Sequence, residues 1–250
     1  MFHNIGEILI LSWQTVLAVP QLFRWRQRRK VYDQLAYIGL ASLSMVCILS
    51  LFIGGVLALQ TGPVLVEHGI SSVLGGMIGL SMCKELAPVM IAILVAGRIG
   101  SAMSAEIGSM QVYEEIDALR TMNIDPVRYL VLPRMVAIAI SLPVLVLFSI
   151  PVGWFGGAMV CDFNQKIAVS FDSFFQNLRE VVEIGDVLNG LFKSFVFALA
   201  IGMISCHQGL ITRGGPRGIA RSVTKAVVNS IVLVLILDYF LTRFLLYIQK

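Results

Sequence analysis

The sequence predicts an all-α membrane protein: an N-terminal interfacial helix, then about five transmembrane helices, with a short cytoplasmic helix between the second and third. Three observations carry this. Of the 250 residues 57% are hydrophobic and only 14% charged, about half the charged share that a water-facing surface needs, and the mean hydropathy is +0.85. The apolar residues fall into five runs of roughly the 20 residues that cross a bilayer. The basic residues collect in alternate loops. This composition excludes a water-soluble enzyme.

Residues 1–34 are read as an amphipathic segment lying in the membrane interface. The apolar stretch 8–19 has twelve residues, and twelve residues of helix reach about 18 Å, short of a hydrocarbon layer about 30 Å thick. Trp13, Phe23 and Trp25 suit headgroup depth, and Arg24, Arg26, Arg28, Arg29 and Lys30 suit anionic lipid. A cleaved signal peptide carries its basic residues before the apolar run; here they follow it. Residues 35–250 form the transmembrane domain, with spans predicted at 37–61, 73–96, 136–160, 187–206 and 227–248.

An odd number of spans places the termini on opposite sides. The segments 24–30, 97–134 and 210–225 carry five, four and four Lys or Arg, thirteen in all. The loops 62–72 and 161–186 carry none and two, Lys166 and Arg179. By the positive-inside rule the N-terminus is cytoplasmic and the C-terminus external.

Ala96, Gly100, Ser104 and Gly108 repeat every four residues, as do Gly153 with Gly157 and Ala198 with Gly202. Small side chains on one helix face let a second helix approach closely, so these stripes predict helix packing. Cys47, Cys83, Cys161 and Cys206 show no C-x-x-C spacing, which argues against a disulfide framework or a zinc site.

Two carboxylates lie near mid-span. Glu85 follows Leu74 by 11 residues and Asp238 follows Val227 by 11, about 16 Å along a helix. An ionised group at that depth must be paired or hydrated, which makes each a functional candidate. Lys84 adjoins Glu85 but points about 100° away around the helix. Two readings stay open: interhelical pairing, for example Lys84 with Asp238, and the lining of a wet cavity.

In the loop after the second span, Ile116 and Leu119 share a face while Glu114, Glu115 and Asp117 point elsewhere. This predicts a short amphipathic helix over 114–119, stopped before Pro126. Held between two spans on the cytoplasmic side, it would serve as a handle for a soluble partner; a solvated loop is the alternative.

Catalytic signatures are missing. There is no H-E-x-x-H, G-x-S-x-G or phosphate-cradling G-x-x-x-x-G-K-[ST], and His3, His68 and His207 fall in separate segments. Energy from ATP would have to come from a partner chain.

The stretches Lys84-Glu85-Leu86-Ala87-Pro88, Ala96-Gly97-Arg98-Ile99-Gly100-Ser101-Ala102, Ala105-Glu106-Ile107-Gly108-Ser109-Met110, Glu114-Glu115-Ile116-Asp117-Ala118-Leu119 and Tyr129-Leu130-Val131-Leu132-Pro133-Arg134 resemble the signature of the MlaE/YrbE-type permeases. These are membrane subunits of ABC transporters that move lipids between membranes together with MCE-domain proteins. Gly214-Gly215-Pro216-Arg217-Gly218 and Leu237-Asp238-Tyr239-Phe240-Leu241-Thr242 resemble the family's C-terminal region. The chain departs from the family at Tyr113-Glu114-Glu115, where Thr-Glu-Gln is common, and at Ala220-Arg221-Ser222, where Ala-Thr-Thr is found.

The resemblance implies a homodimer in the bacterial inner membrane that maintains outer-membrane lipid asymmetry. Each subunit would dock an ATP-binding cassette ATPase that holds ATP and Mg, with an MCE-domain protein on the periplasmic side and a STAS-domain protein on the cassette. This chain itself would hold no cofactor, no metal and no nucleic acid. A phospholipid cavity between the two subunits would involve Leu51, Leu59, Leu80, Glu85 and Asp238. Glu114, Glu115, Ile116, Asp117 and Leu119 would form the ATPase-coupling helix. The alternative is an ion-coupled secondary transporter using Glu85 and Asp238 as a relay, which predicts inverted repeats that the sequence does not display. An integral-membrane enzyme lacks its nucleophile, base and metal.

Overall fold

The computed structural model describes residues 25–164, 167 and 169–248, together with Gly6. Most of the predicted interfacial segment, including the stretch 8–19, lies outside the described residues. Within them all regular structure is helical. Five helices are long and apolar enough to cross a membrane: span 1 Val31–Glu67, span 2 Ser71–Val112, span 3 Val127–Phe163, span 4 Ile184–Leu210 and span 5 Gly215–Tyr247.

Each span contains its predicted apolar run, except that span 5 ends one residue before the predicted 248, and each begins earlier than that run. An apolar run marks the depth of hydrocarbon, not the end of the hydrogen-bonded helix, which continues into polar residues at the bilayer surface. Span 2 gains most, running on through residues 97–112. It is also interrupted twice by wider π turns, at Met82–Leu86 and Ala96–Gly100. Such turns insert a residue into the helical repeat and often mark functional positions.

The chain divides into two compact units. The first comprises Met1–Ala41, Ala92–Leu142 and Phe195–Lys250; the second comprises Ser42–Ile91 and Pro143–Ser194.

In the second unit, spans 1 and 3 meet through glycine. Gly54 lies against the carbonyl of Gly153, and Gly156 against that of Leu51, so that a Cβ at either glycine would overlap the oxygen. Lipid tails are as apolar as leucine, so helices in a membrane gain from close packing rather than from burial, and a glycine surface permits it. A further helix, Phe171–Val181, covers the start of span 2. Ser170 caps it, its hydroxyl accepting the Ser173 N–H, and Phe174 and Leu178 are buried beneath it. Asn177 Oδ1 accepts the Gly76 N–H at 2.6 Å. The sequence reading leaves 161–186 as a loop; the Phe171, Phe174, Phe175 and Leu178 spacing is that of one helical face, but the segment is amphipathic and too short to register as a span.

In the first unit, the small-residue stripe of span 2 gives the close packing expected of it, and its partners are span 4 and Thr212 just beyond that span's end. A Cβ at Gly100 would stand 2.9 Å from Ser205 Oγ and one at Gly108 3.0 Å from Thr212 Oγ1. Gly202 of span 4 faces Met135 and Ile138 of span 3. Arg98, in the second π turn, donates to the carbonyl of Ala41 in the same unit. Arg134 Nη2 pairs with Glu106 Oε2 at 2.9 Å and Arg134 Nη1 donates to the Leu130 carbonyl at 3.2 Å.

Candidate functional site

The charge chemistry of the second unit begins with a proline. Pro88 has no N–H, so the carbonyl of Lys84 lacks the donor four residues on that an α-helix would give it, and the carbonyl of Cys83 lacks the one five residues on that a π turn would give it. Around it span 2 widens into the Met82–Leu86 π turn, in which the Ala87 N–H bonds to the Met82 carbonyl.

Span 4 presents Asp186, Gly190 and Lys193 to this turn, spaced four and three residues apart and therefore on one helix face. Asp186 Oδ1 accepts from Lys84 Nζ at 2.9 Å. Lys193 Nζ donates to Glu85 Oε1 at 2.9 Å and to the Lys84 carbonyl at 3.0 Å. Between them Gly190 lies against the Cys83 carbonyl, where any Cβ would overlap the oxygen. Two cations and two anions thus form a neutral cluster.

The exposures are unequal. The side chains from span 4 are almost hidden, Lys193 at 3% and Asp186 at 8%, whereas those from span 2 keep open surface, Lys84 at 34% and Glu85 at 41%. Span 4 is the buried counter-charge, and span 2 is what a ligand could meet. Glu85 is therefore both paired and accessible, which joins the two readings the sequence leaves open. The partner of Lys84 is corrected: it is Asp186, not Asp238. Asp238 is half-buried on span 5, in the first unit.

Sequence reasoning misses Asp186 and Lys193. The signal exists, since Lys193 falls inside the predicted run 187–206 and an ionisable residue within a span is itself a functional pointer. Leu51, Leu59 and Leu80 belong to the same unit as Glu85; Leu59 is exposed, and Leu51 and Leu80 are half-buried. An open apolar concavity of about 1000 Å³ lies elsewhere, on span 5, lined by Leu237, Phe240, Leu241, Phe244 and Arg243 among others. Among the described residues no group of three His, Cys, Asp or Glu is placed to hold a metal ion.

In the first unit, the loop after span 2 forms the helix Glu115–Thr121, entered through Glu114 in a left-handed conformation at φ 61° and followed by Asn123 at φ 59°. Glu114, Glu115 and Asp117 are exposed, and Leu119 is half-buried. Ile116 differs from expectation. It is wholly buried in its own chain, because a seven-residue helix hung between two spans needs an apolar anchor, so it has no surface left to offer a partner. Asp117 pairs with Arg120 at 2.9 Å on the exposed side. Asp125 accepts the Val127 N–H at 3.0 Å and pairs with Arg128, fixing the entry into span 3.

Comparison with known proteins covers almost the whole of this architecture. The profile described as permease MlaE matches residues 31–244. A probable ABC transporter permease protein of Synechocystis is 38% identical over 87% of this chain and 81% of its own length. One from Rickettsia conorii is 40% identical, over 87% and 82%. The intermembrane phospholipid transport system permease protein MlaE of Haemophilus influenzae is 38% identical, over 83% and 78%.

Proposed function

The chain belongs to the MlaE permease family, and from that premise we propose that it is the membrane subunit of an ABC transporter that carries phospholipid between membranes. It works as a homodimer in the bacterial inner membrane, with its N-terminus cytoplasmic. ATP hydrolysis, with its Mg, belongs to a separate cassette ATPase docked on the cytoplasmic face. An MCE-domain protein on the periplasmic side receives or delivers the lipid, and a STAS-domain protein accompanies the cassette.

The observation that supports this best is the Glu115–Thr121 helix. It is anchored by Ile116, it leaves Glu114, Glu115 and Asp117 exposed, and it follows directly on span 2. A groove on the cassette takes this helix, and closure of the cassettes pushes on the span that also carries Lys84 and Glu85. The acyl chains pass against Leu51, Leu59 and Leu80 in a cavity between the two copies, and the headgroup meets Glu85. Asp238 contributes from span 5.

The relay alternative needs Glu85 and Asp238 to act as one chain of proton sites. Glu85 is engaged by Lys193 at 2.9 Å, and no observation favours that reading. The deciding experiment purifies the chain from membranes, asks whether an ATPase co-elutes, and measures ATP-driven phospholipid transfer in proteoliposomes. A chain that brings down no ATPase and moves lipid without ATP would overturn the proposal.

A further inference from the structure

We infer that Lys193 is a positioning residue: its ammonium replaces the backbone donor that Pro88 removes, and thereby fixes the turn that presents Lys84 and Glu85. This deepens the permease reading and rests on it for its transport consequences, but its structural core stands on the contacts themselves. Nothing in the helix of span 2 can hydrogen-bond the Lys84 carbonyl from position 88, and Lys193 Nζ reaches it at 3.0 Å while holding Glu85 Oε1 at 2.9 Å. One buried ammonium therefore serves both the backbone and the side chain of the turn. Gly190, on the same face, admits the neighbouring Cys83 carbonyl and touches the Pro88 ring, whose Cγ would stand 3.3 Å from a Cβ there. A surface that receives two consecutive carbonyls and the proline behind them is shaped to a π turn. Were the turn to relax by one residue, the side chains on one side of it would swing by about 100°, and Glu85 would leave its place.

The two roles of Lys193 are separable, which makes the inference testable. Lys193→Met removes donor and charge; Lys193→Arg keeps both. Pro88→Ala returns an N–H to position 88, and Glu85→Gln removes the carboxylate. Two readouts are used. One is ATP-driven phospholipid transfer in proteoliposomes with the co-purified ATPase. The other is the rate at which a small water-soluble maleimide labels Ser81→Cys, whose hydroxyl is exposed one residue before the turn. Labelling is done in detergent in a Cys47→Ala background, the other three thiols being buried.

Lys193→Met should change the labelling rate by about threefold or more, since a turn without its donor opens locally. It should also lower maximal transfer by at least about tenfold, because the buried ammonium that holds Glu85 and the turn in place is gone. Lys193→Arg should stay near the parent in both. Adding Pro88→Ala to Lys193→Met should return labelling toward the parent but leave transfer impaired. A merely space-filling lysine would show no such rescue.

If Lys193→Met does not insert, the Glu85→Gln/Lys193→Met chain, which loses the carboxylate together with the ammonium, carries the same labelling comparison. If the parent moves no lipid, the permease reading fails and labelling alone decides. Unchanged labelling and transfer in Lys193→Met, or a labelling change that Pro88→Ala does not reverse, would overturn the inference.

Discussion

Gly190 of span 4 and Cys83 of span 2 approach so closely that the Cys83 carbonyl occupies the place a side chain at 190 would need. A methyl group there must push the two spans apart. Gly190→Ala is expected to destabilise by about 1 to 3 kcal/mol, read as a lower melting temperature of the purified chain in detergent. Gly185→Ala, a turn away in open space, should leave melting unchanged. Equal melting in both variants would mean that the contact is not tight.

Glu85→Gln keeps the shape of the side chain and removes its charge. Because Glu85 is more than a third exposed, the variant should still insert and dimerise, while lipid-stimulated ATPase activity and lipid transfer change. Loss of the dimer on size-exclusion chromatography would make the charge a structural one. An unaltered transfer rate would show that transport does not use it.

Ile116 and Leu119 separate anchoring from docking. Ile116→Ala empties a buried site and should cost about 2 to 5 kcal/mol of stability, seen as a lower melting temperature of the chain alone. Leu119→Asp should leave the permease inserted and dimeric, but either release the ATPase in a pull-down or leave it hydrolysing ATP without moving lipid. Glu115→Gln, at the rim, should act more weakly than Leu119→Ala. Normal binding together with normal transfer in Leu119→Asp would remove the coupling role from this helix.

Topology follows from the thirteen basic residues counted on one side. A reporter fused after Lys250 should be external, and one inserted at Arg213 cytoplasmic. A cytoplasmic C-terminus would contradict five spans.

The five spans were legible because the bilayer writes a solvent requirement into sequence: a run of about 20 apolar residues is what a hydrocarbon layer demands and what a water-facing chain avoids. Their lengths were not, since Ser101, Ser104 and Glu106 continue span 2 with polar side chains that no hydropathy argument extends. Small-residue stripes foretold close packing at Gly100, Gly108 and Gly202 but not which helix would arrive. The same limit hid the partner of Lys84. Asp186 lies about a hundred residues away, and one sequence says which residues share a face but not which faces meet. Ile116 illustrates a different limit, for an apolar residue on a short helix reads the same whether it anchors the helix or greets a partner.

Pro88 has a consequence for the order in which the protein is made. Span 2 leaves the ribosome with the Lys84 carbonyl lacking its donor from position 88 and with Lys84 and Glu85 on different faces, and their counterparts on span 4 come about a hundred residues later. At roughly 5 to 20 residues per second that is a delay of about 5 to 20 seconds. During this interval the turn lacks the contacts that Asp186, Gly190 and Lys193 give it. The charge cluster is therefore a late product of assembly, formed only once spans 2 and 4 are both present.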